Sequence, residues 1–209
     1  MGGFGDAEVF SLTPTKPLVA GEGGLVATTR DDVAYKVRIG RDYANPGNYD
    51  TQFVGLNGRM SEMHAATALA SLEGFEANQS RRFEIVDRYV SRLSEIPGVR
   101  VQAVPPADRS TWKDFTIAID HEQFGIDRDG LRRALAADGI DTRTYFDPPV
   151  HRQHAYREVD SDTLPVTDDV CTRVLSLPVY PALEDRVIDG IADVIARVHD
   201  NSADLVGSI

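Results

Sequence analysis

A shortage of strands at its start is what most limits how this chain can fold. Across the first 76 residues only two short runs read as strands, Ala7 to Leu12 and Leu25 to Thr28. Two such strands cannot make the layer that covers the helices of an α/β domain. Thr29 and Asp32 form a capping-box pattern that opens a helix to about Ile39. Gly40 to Gly58 is irregular and holds the turn signal Asn45-Pro46-Gly47-Asn48. From Met60 the spacing turns helical, with Met60, Met63, Thr67, Leu72 and Phe75 on one side and a break expected at Gly74. That side has no sheet in this segment to lie on. Residues 1–76 are therefore expected to be the end of something larger, with an apolar face exposed unless a partner covers it.

From about residue 77 the pattern is that of a small α+β unit. A helix from about Asn78 to Ile96 carries Phe83, Val86, Tyr89, Val90 and Leu93 on one face, and Pro97-Gly98 stops it. Val99 to Val101, Asp114 to Ile119, Ile140 to Tyr145 and Leu175 to Pro178 read as strands. Asp127 is a candidate N-cap of a helix to Asp138, with Gly139 just past its end. Val187, Ile188, Ile191, Val194, Ile195 and Val198 mark an amphipathic final helix, and residues 201–209 read as a frayed tail. Trp112 is expected to anchor packing.

Charge and cysteine content narrow the function. A formal charge of −11 repels phosphate backbones, so nucleic acid is not an expected partner, though a local basic pocket for a small anion stays open. The single cysteine, Cys171, lies in a helical pattern and is expected to be a buried, inert thiol. No apolar run approaches the roughly 18 residues of a membrane span. Met1 to Asp6 has no signal-peptide or myristoylation pattern, so a cytoplasmic protein is expected, and the sequon at Asn78 is not expected to be glycosylated. His121, His154 and His199 show no metal-ligand spacing, so no metal is expected.

One lysine stands apart. In Ser11-Leu12-Thr13-Pro14-Thr15-Lys16-Pro17 two prolines stiffen the loop around Lys16, which leads into Gly21-Glu22-Gly23-Gly24. A lysine that forms a Schiff base must be held in place and must lose its proton. Ser11 is a suitable donor to a phosphate oxygen. Taken alone, the same residues also describe a solvated lysine in a turn. The Gly-rich stretch is not a P-loop, because no Gly-Lys-Ser/Thr follows.

The wider pattern resembles the DegT/DnrJ/EryC1/StrS aminotransferases, fold-type-I enzymes that use pyridoxal 5'-phosphate (PLP) on nucleotide-linked keto sugars. Four segments match in order: the lysine loop; Asn57-Gly58-Arg59-Met60-Ser61-Glu62; Gly139 to Arg143 with Pro149-Val150-His151; and Leu175 to Pro181. The resemblance runs from about Gly5 to His199 and implies an α/β fold. That fold is the C-terminal part of a fold-type-I PLP-dependent transferase: a remnant of the large domain in residues 1–76, then a small α+β C-terminal domain in residues 77–200.

By the same resemblance Lys16 would be the catalytic, cofactor-holding lysine and Ser11 would bind the PLP phosphate. Asn57 would reach the phosphate in a neighbouring subunit of a dimer, supported by Arg59. Tyr145 and His151 would lie on the substrate side. Residue chemistry leaves rivals: Asn57 as a helix cap, Arg59 in a surface ion pair, His64 as a packing residue, Tyr145 as core. A family branch with His in place of the lysine dehydrates instead, so Lys16 favours transfer of an amino group. The implied reaction takes that group from an amino donor, glutamate, to a nucleotide-linked keto-deoxy sugar in amino-sugar biosynthesis. The family's chain is about twice as long, and the acidic partner of the pyridine nitrogen belongs to its other half. The active species is thus expected to be a homodimer or a complex with a complementing N-terminal half. The alternative is an inactive fragment, or a partner subunit that lends interface residues to a full-length aminotransferase.

Overall fold

The computed structural model describes residues 4–159 and 163–203, in two units divided between Asn78 and Gln79. The first unit opens with the hairpin strands β1 (Glu8–Ser11) and β2 (Gly24–Ala27), paired antiparallel so that Glu8 faces Ala27 and Ser11 faces Gly24. Helix α1 (Asp31–Gly40) follows, but not through the expected capping box. Its N-cap is Arg30, without a side-chain cap. Asp32 is taken by the Arg30 guanidinium, and the nearest hydroxyl contact is Arg30 N donating to Thr28 Oγ1 at 3.1 Å. Ion pairing thus replaces the reciprocal hydrogen bonds of a capping box.

The irregular segment after α1 doubles back on itself. Tyr43 N donates to Leu56 O at 3.0 Å, Leu56 N to Gly40 O at 2.8 Å and Gly58 N to Arg41 O at 2.8 Å. At its tip Asn45 Oδ1 accepts from Gly47 N at 2.8 Å and Tyr49 N at 3.0 Å, the turn that Asn45-Pro46-Gly47 announces. The two arms approach so closely that a Cβ on Gly55 would stand 2.3 Å from Ala44 N. Helix α2 (Glu62–Glu73) is capped by Ser61, whose Oγ accepts from His64 N at 3.3 Å, and it ends at Gly74 as expected. No residue of α2 is buried, and Met63, Leu69 and Leu72 are exposed.

Helix α3 (Phe75–Leu93) runs on into the second unit. There β3 (Val99–Val101), β4 (Phe115–Ile119) and β5 (Val174–Leu177) form an antiparallel sheet in that order, with Val99 opposite Ile119 and Phe115 opposite Leu177. Around it lie α4 (His121–Phe124), α5 (Arg128–Ala137), α6 (Pro165–Arg173) and α7 (Asp185–Asp200). Alternate β4 residues, Phe115, Ile117 and Ile119, enter one core with Ile85, Tyr89 and Leu93 of α3 and Ile188, Ile191 and Ile195 of α7. Tyr89 stacks on Phe115, ring centroids 5.2 Å apart, and Trp112 meets Phe115 edge-on at 6.0 Å, the packing role expected of it. Asp127 caps α5, its Oδ1 accepting from Gly130 N at 2.7 Å. Asp127→Ala is expected to cost about 1 kcal/mol, measured as a shift in the urea midpoint.

One expectation fails in this unit. The strand read over Ile140 to Tyr145 shrinks to one bridge between Arg143 and Ser176, because Thr144 O at once accepts from Asp147 N at 2.9 Å and turns the chain away. Helix α6 extends the helical pattern around Cys171 over Pro165–Arg173. That thiol is buried, donates to Asp168 O at 3.2 Å and has its pKa pushed up by burial.

An arginine–aspartate seam joins α3 to α7. Arg88 Nε and Nη2 reach Asp189 at 2.8 and 2.5 Å, Arg81 reaches Asp185 at 2.6 Å, and Arg92 pairs with Asp193. The Arg88 hydrogen bond holds Asp189 below its ordinary pKa of 3.8. A depressed carboxylate stabilises the fold above its unfolded pKa and loses that contribution as pH falls through the folded value. Asp189→Asn should therefore lower the urea midpoint at pH 7, and the difference from the parent should vanish in acid below that range.

The frayed tail expected from Asn201 falls mainly on residues 204–209, and the leader reading partly on residues 1–3, all outside the described residues. Among the described residues no helix is long and apolar enough to cross a membrane. No group of three His, Cys, Asp or Glu side chains among them is placed to hold a metal.

Candidate cofactor-lysine site

Lys16 lies in the loop between β1 and β2, and backbone hydrogen bonds close that loop at its base. Leu12 N donates to Gly23 O at 2.9 Å, and Ala20 N to Leu12 O at 2.8 Å. Leu12 and Ala20 are buried. Val19 N donates to Ser71 Oγ of α2 at 3.1 Å, which ties the far arm down. Inside this frame Thr13 links the two residues of interest: its carbonyl accepts from Lys16 N at 3.0 Å and its hydroxyl lies 3.2 Å from Ser11 Oγ. Thr13 was not singled out from sequence, and its only signal there is its place between Ser11 and Lys16.

Lys16 is half-buried, and among the described residues no carboxylate lies within ion-pair distance of its Nζ. The chain has only two other lysines. Lys36 is exposed on α1, and Lys113 pairs with Asp114 at 2.7 Å. Lys16 is thus the one lysine held in a closed loop with its charge uncommitted.

Asn57 and Arg59 come together in the same unit. Asn57 bridges Asp42 through the backbone and does not cap α2, which Ser61 does. Arg59 Nη2 donates to Asn57 Oδ1 at 3.3 Å, Arg59 Nη1 pairs with Asp42, and the guanidinium lies 5.4 Å from the centre of the Tyr43 ring. Asp42, 17 residues from its partner, is a site residue that local sequence could not reveal. Arg59 and His64 also line a cavity of ≈790 Å3 with Arg38 and Arg41. His64 Nδ1 lies 3.0 Å from Ser61 Oγ, and its ring packs where a Cβ on Gly21 would point, 3.1 Å away.

Tyr145 and His151 belong to the second unit, where both line a largely apolar cavity of ≈640 Å3. Tyr145 is 39% exposed, so it is not core, and Lys113 Nζ lies 5.2 Å from its ring centre. His151 Nε2 is 2.9 Å from Asp168 Oδ1. The hydrogen bond from Arg152, with a smaller one from His151, holds Asp168 below the usual carboxylate range.

A hydroxyl and an amine carried by one closed loop have the chemistry that the two ends of PLP call for, its phosphate and its aldehyde. The DegT/DnrJ/EryC1/StrS aminotransferase family model matches residues 1–196. The spore coat polysaccharide biosynthesis protein SpsC of Bacillus subtilis is 32% identical over an alignment that covers 96% of this chain and 54% of that protein. The dTDP-3-amino-3,4,6-trideoxy-alpha-D-glucose transaminase of Streptomyces venezuelae is 33% identical, over 95% of this chain and 52% of that enzyme. The crystal structure of DesI in the presence of its TDP-sugar product superposes with a TM-score of 0.90 at 33% identity, over 98% of this chain and 52% of the other. The chain therefore spans about half the length of the curated relatives it matches. On sequence and fold together, the chain belongs to the DegT/DnrJ/EryC1/StrS aminotransferase family of PLP-dependent enzymes and carries the C-terminal part of their fold-type-I α/β architecture.

Proposed function

We propose that this chain supplies the cofactor lysine of an aminotransferase that moves an amino group from glutamate to a nucleotide-linked keto-deoxy sugar, a cytoplasmic step of amino-sugar biosynthesis. The observation that carries the reading is Lys16 itself, half-buried in a closed loop and clear of any carboxylate among the described residues. The sugar class comes from the relatives, one of them a dTDP-amino-sugar transaminase. We assign residues 1–76 to the end of the PLP-binding large domain, 77–200 to the small C-terminal domain and 201–209 to a tail.

In this reading Lys16 Nζ holds the cofactor, and Ser11 Oγ, kept beside Thr13 Oγ1, donates to its phosphate. When bound, PLP supplies the electron sink for the charge left as the donor loses its α-proton. Lys16 Nζ then moves that proton. Asn57, braced by Arg59 and Asp42, reaches the phosphate of the cofactor in a partnering polypeptide, either a second copy or a complementing N-terminal half. Tyr145 and His151 orient the sugar.

The test is the donor half-reaction of the assembly purified from its native cell. PLP-loaded protein given glutamate should release 2-oxoglutarate, and then aminate a TDP-linked keto sugar. No release of 2-oxoglutarate contradicts the reading. Asn57→Ala in the same assembly should weaken PLP binding by about tenfold, roughly the loss of one hydrogen bond to a charged group, measured by absorbance titration.

A further inference from the structure

Arg128 is in a place that helix stability alone does not explain. It is the first residue of α5, where a positive charge opposes the helix dipole. It is also 3% exposed, and burial penalises a charged side chain unless its partners are good. The partners are good, and they come from two other stretches of chain, Cys171–Val174 and Asp147. Nη1 donates to Cys171 O at 3.2 Å and Val174 O at 3.0 Å, at the end of α6 and the start of β5. Nη2 donates to the Asp147 carboxylate. Nε lies 3.0 Å from Asp129 Oδ1 but out of line for a hydrogen bond.

Asp147 sits in the middle of the segment that carries Tyr145 and His151. That segment is folded on itself by short turns: Asp147 N to Thr144 O at 2.9 Å, Arg152 N to Pro149 O at 2.8 Å and Gln153 N to Val150 O at 3.1 Å. A second anchor is Asp168 of α6, which takes His151 Nε2 at 2.9 Å and Arg152. The end of α6 is itself held by Arg128 through Cys171 O. Both anchors of the segment thus lead to one guanidinium. A planar fork with separate donors can span these partners at once, and a lysine ammonium cannot.

We propose that Arg128 is a positioning residue for recognition of the acceptor sugar: through Asp147 and the end of α6 it fixes the Thr144–Gln153 segment so that Tyr145 and His151 are presented in one arrangement. This rests on the reading of that segment as the sugar-facing side. Among the described residues Arg128 makes its polar contacts to Asp129, Asp147, Cys171 and Val174, so its loss should change acceptor recognition and leave the glutamate half-reaction alone.

The test uses Arg128→Lys and Asp147→Asn, with Asp147→Glu as the conservative variant, in the native assembly. Amide hydrogen exchange is read over residues 144–153, with β4 as the control for folding. Exchange in the segment should speed up by about tenfold or more while β4 is unchanged. The acceptor KM should rise by about tenfold, with kcat for the glutamate half-reaction kept within about twofold. Asp147→Glu should recover part of both effects. Unchanged exchange in the segment, equal acceleration in β4, or a parallel fall of both half-reactions overturns the proposal. If the parent protein runs no glutamate half-reaction, the aminotransferase reading fails, and the exchange data still decide whether Arg128 holds the segment.

Discussion

Lys16→Ala should lower the glutamate half-reaction of the native assembly by at least about a thousandfold. In the proposed reading the substitution removes both the covalent hold on the cofactor and the base that moves the α-proton, and a positioned acid–base group alone contributes about 10²–10⁴ in rate. Lys16→Arg should be nearly as damaging, because a guanidinium keeps the charge but cannot lose it near neutral pH. In the same reading binding of the nucleotide sugar should survive, since it is assigned to Tyr145 and His151 rather than to Lys16. Release of 2-oxoglutarate gives the rate, and calorimetry with the nucleotide sugar gives the binding. An unchanged rate would instead favour the rival reading, in which this chain only lends interface residues to another subunit's site.

Phe115→Ala should cost the second unit about 3–5 kcal/mol, the range for removing a large aromatic side chain from a packed core. Phe115 is fully buried between Tyr89, stacked at 5.2 Å, and Trp112, edge-on at 6.0 Å. The site cannot collapse easily, because β4 is held on both sides by β3 and β5. Trp112 is the only tryptophan, so its fluorescence reports this unit directly during urea unfolding. Leu69→Ala on α2 is the contrast. Leu69 is 66% exposed, so in the isolated chain its removal should change stability by less than about 0.5 kcal/mol. A comparable loss at both positions would contradict the division between a packed unit and an uncovered face.

Features that depend on neighbours in sequence were legible. Pro14 and Pro17 around Lys16, the Asn45 turn, the Asp127 cap, the break at Gly74 and the spacing of Ile188, Ile191 and Ile195 each follow from backbone stereochemistry or helical period. The uncovered side of α2 was also legible, since two strand patterns could not cover it. Features that depend on partners distant in sequence were not. Nothing near Arg59 points to Asp42, nothing near His151 points to Asp168, and Arg128 meets Asp147 across 19 residues. The extent of helix α6 was not legible, because its apolar residues do not mark a buried stripe: Val166 and Val170 stay exposed, and only Cys171 is buried. Thr29 and Asp32 matched a capping box in letters only, because Arg30 between them takes the carboxylate.

The most direct measurement is a map of the lysine that captures the cofactor. The native assembly is incubated with PLP, reduced with borohydride and digested, and the phosphopyridoxyl group is located by mass spectrometry. With only Lys16, Lys36 and Lys113 available in this chain, assignment is unambiguous. The label should sit on Lys16 in near-stoichiometric amount and be absent from the exposed Lys36 and the ion-paired Lys113. A label on Lys36 or Lys113, or one spread over all three in proportion to exposure, would contradict the account.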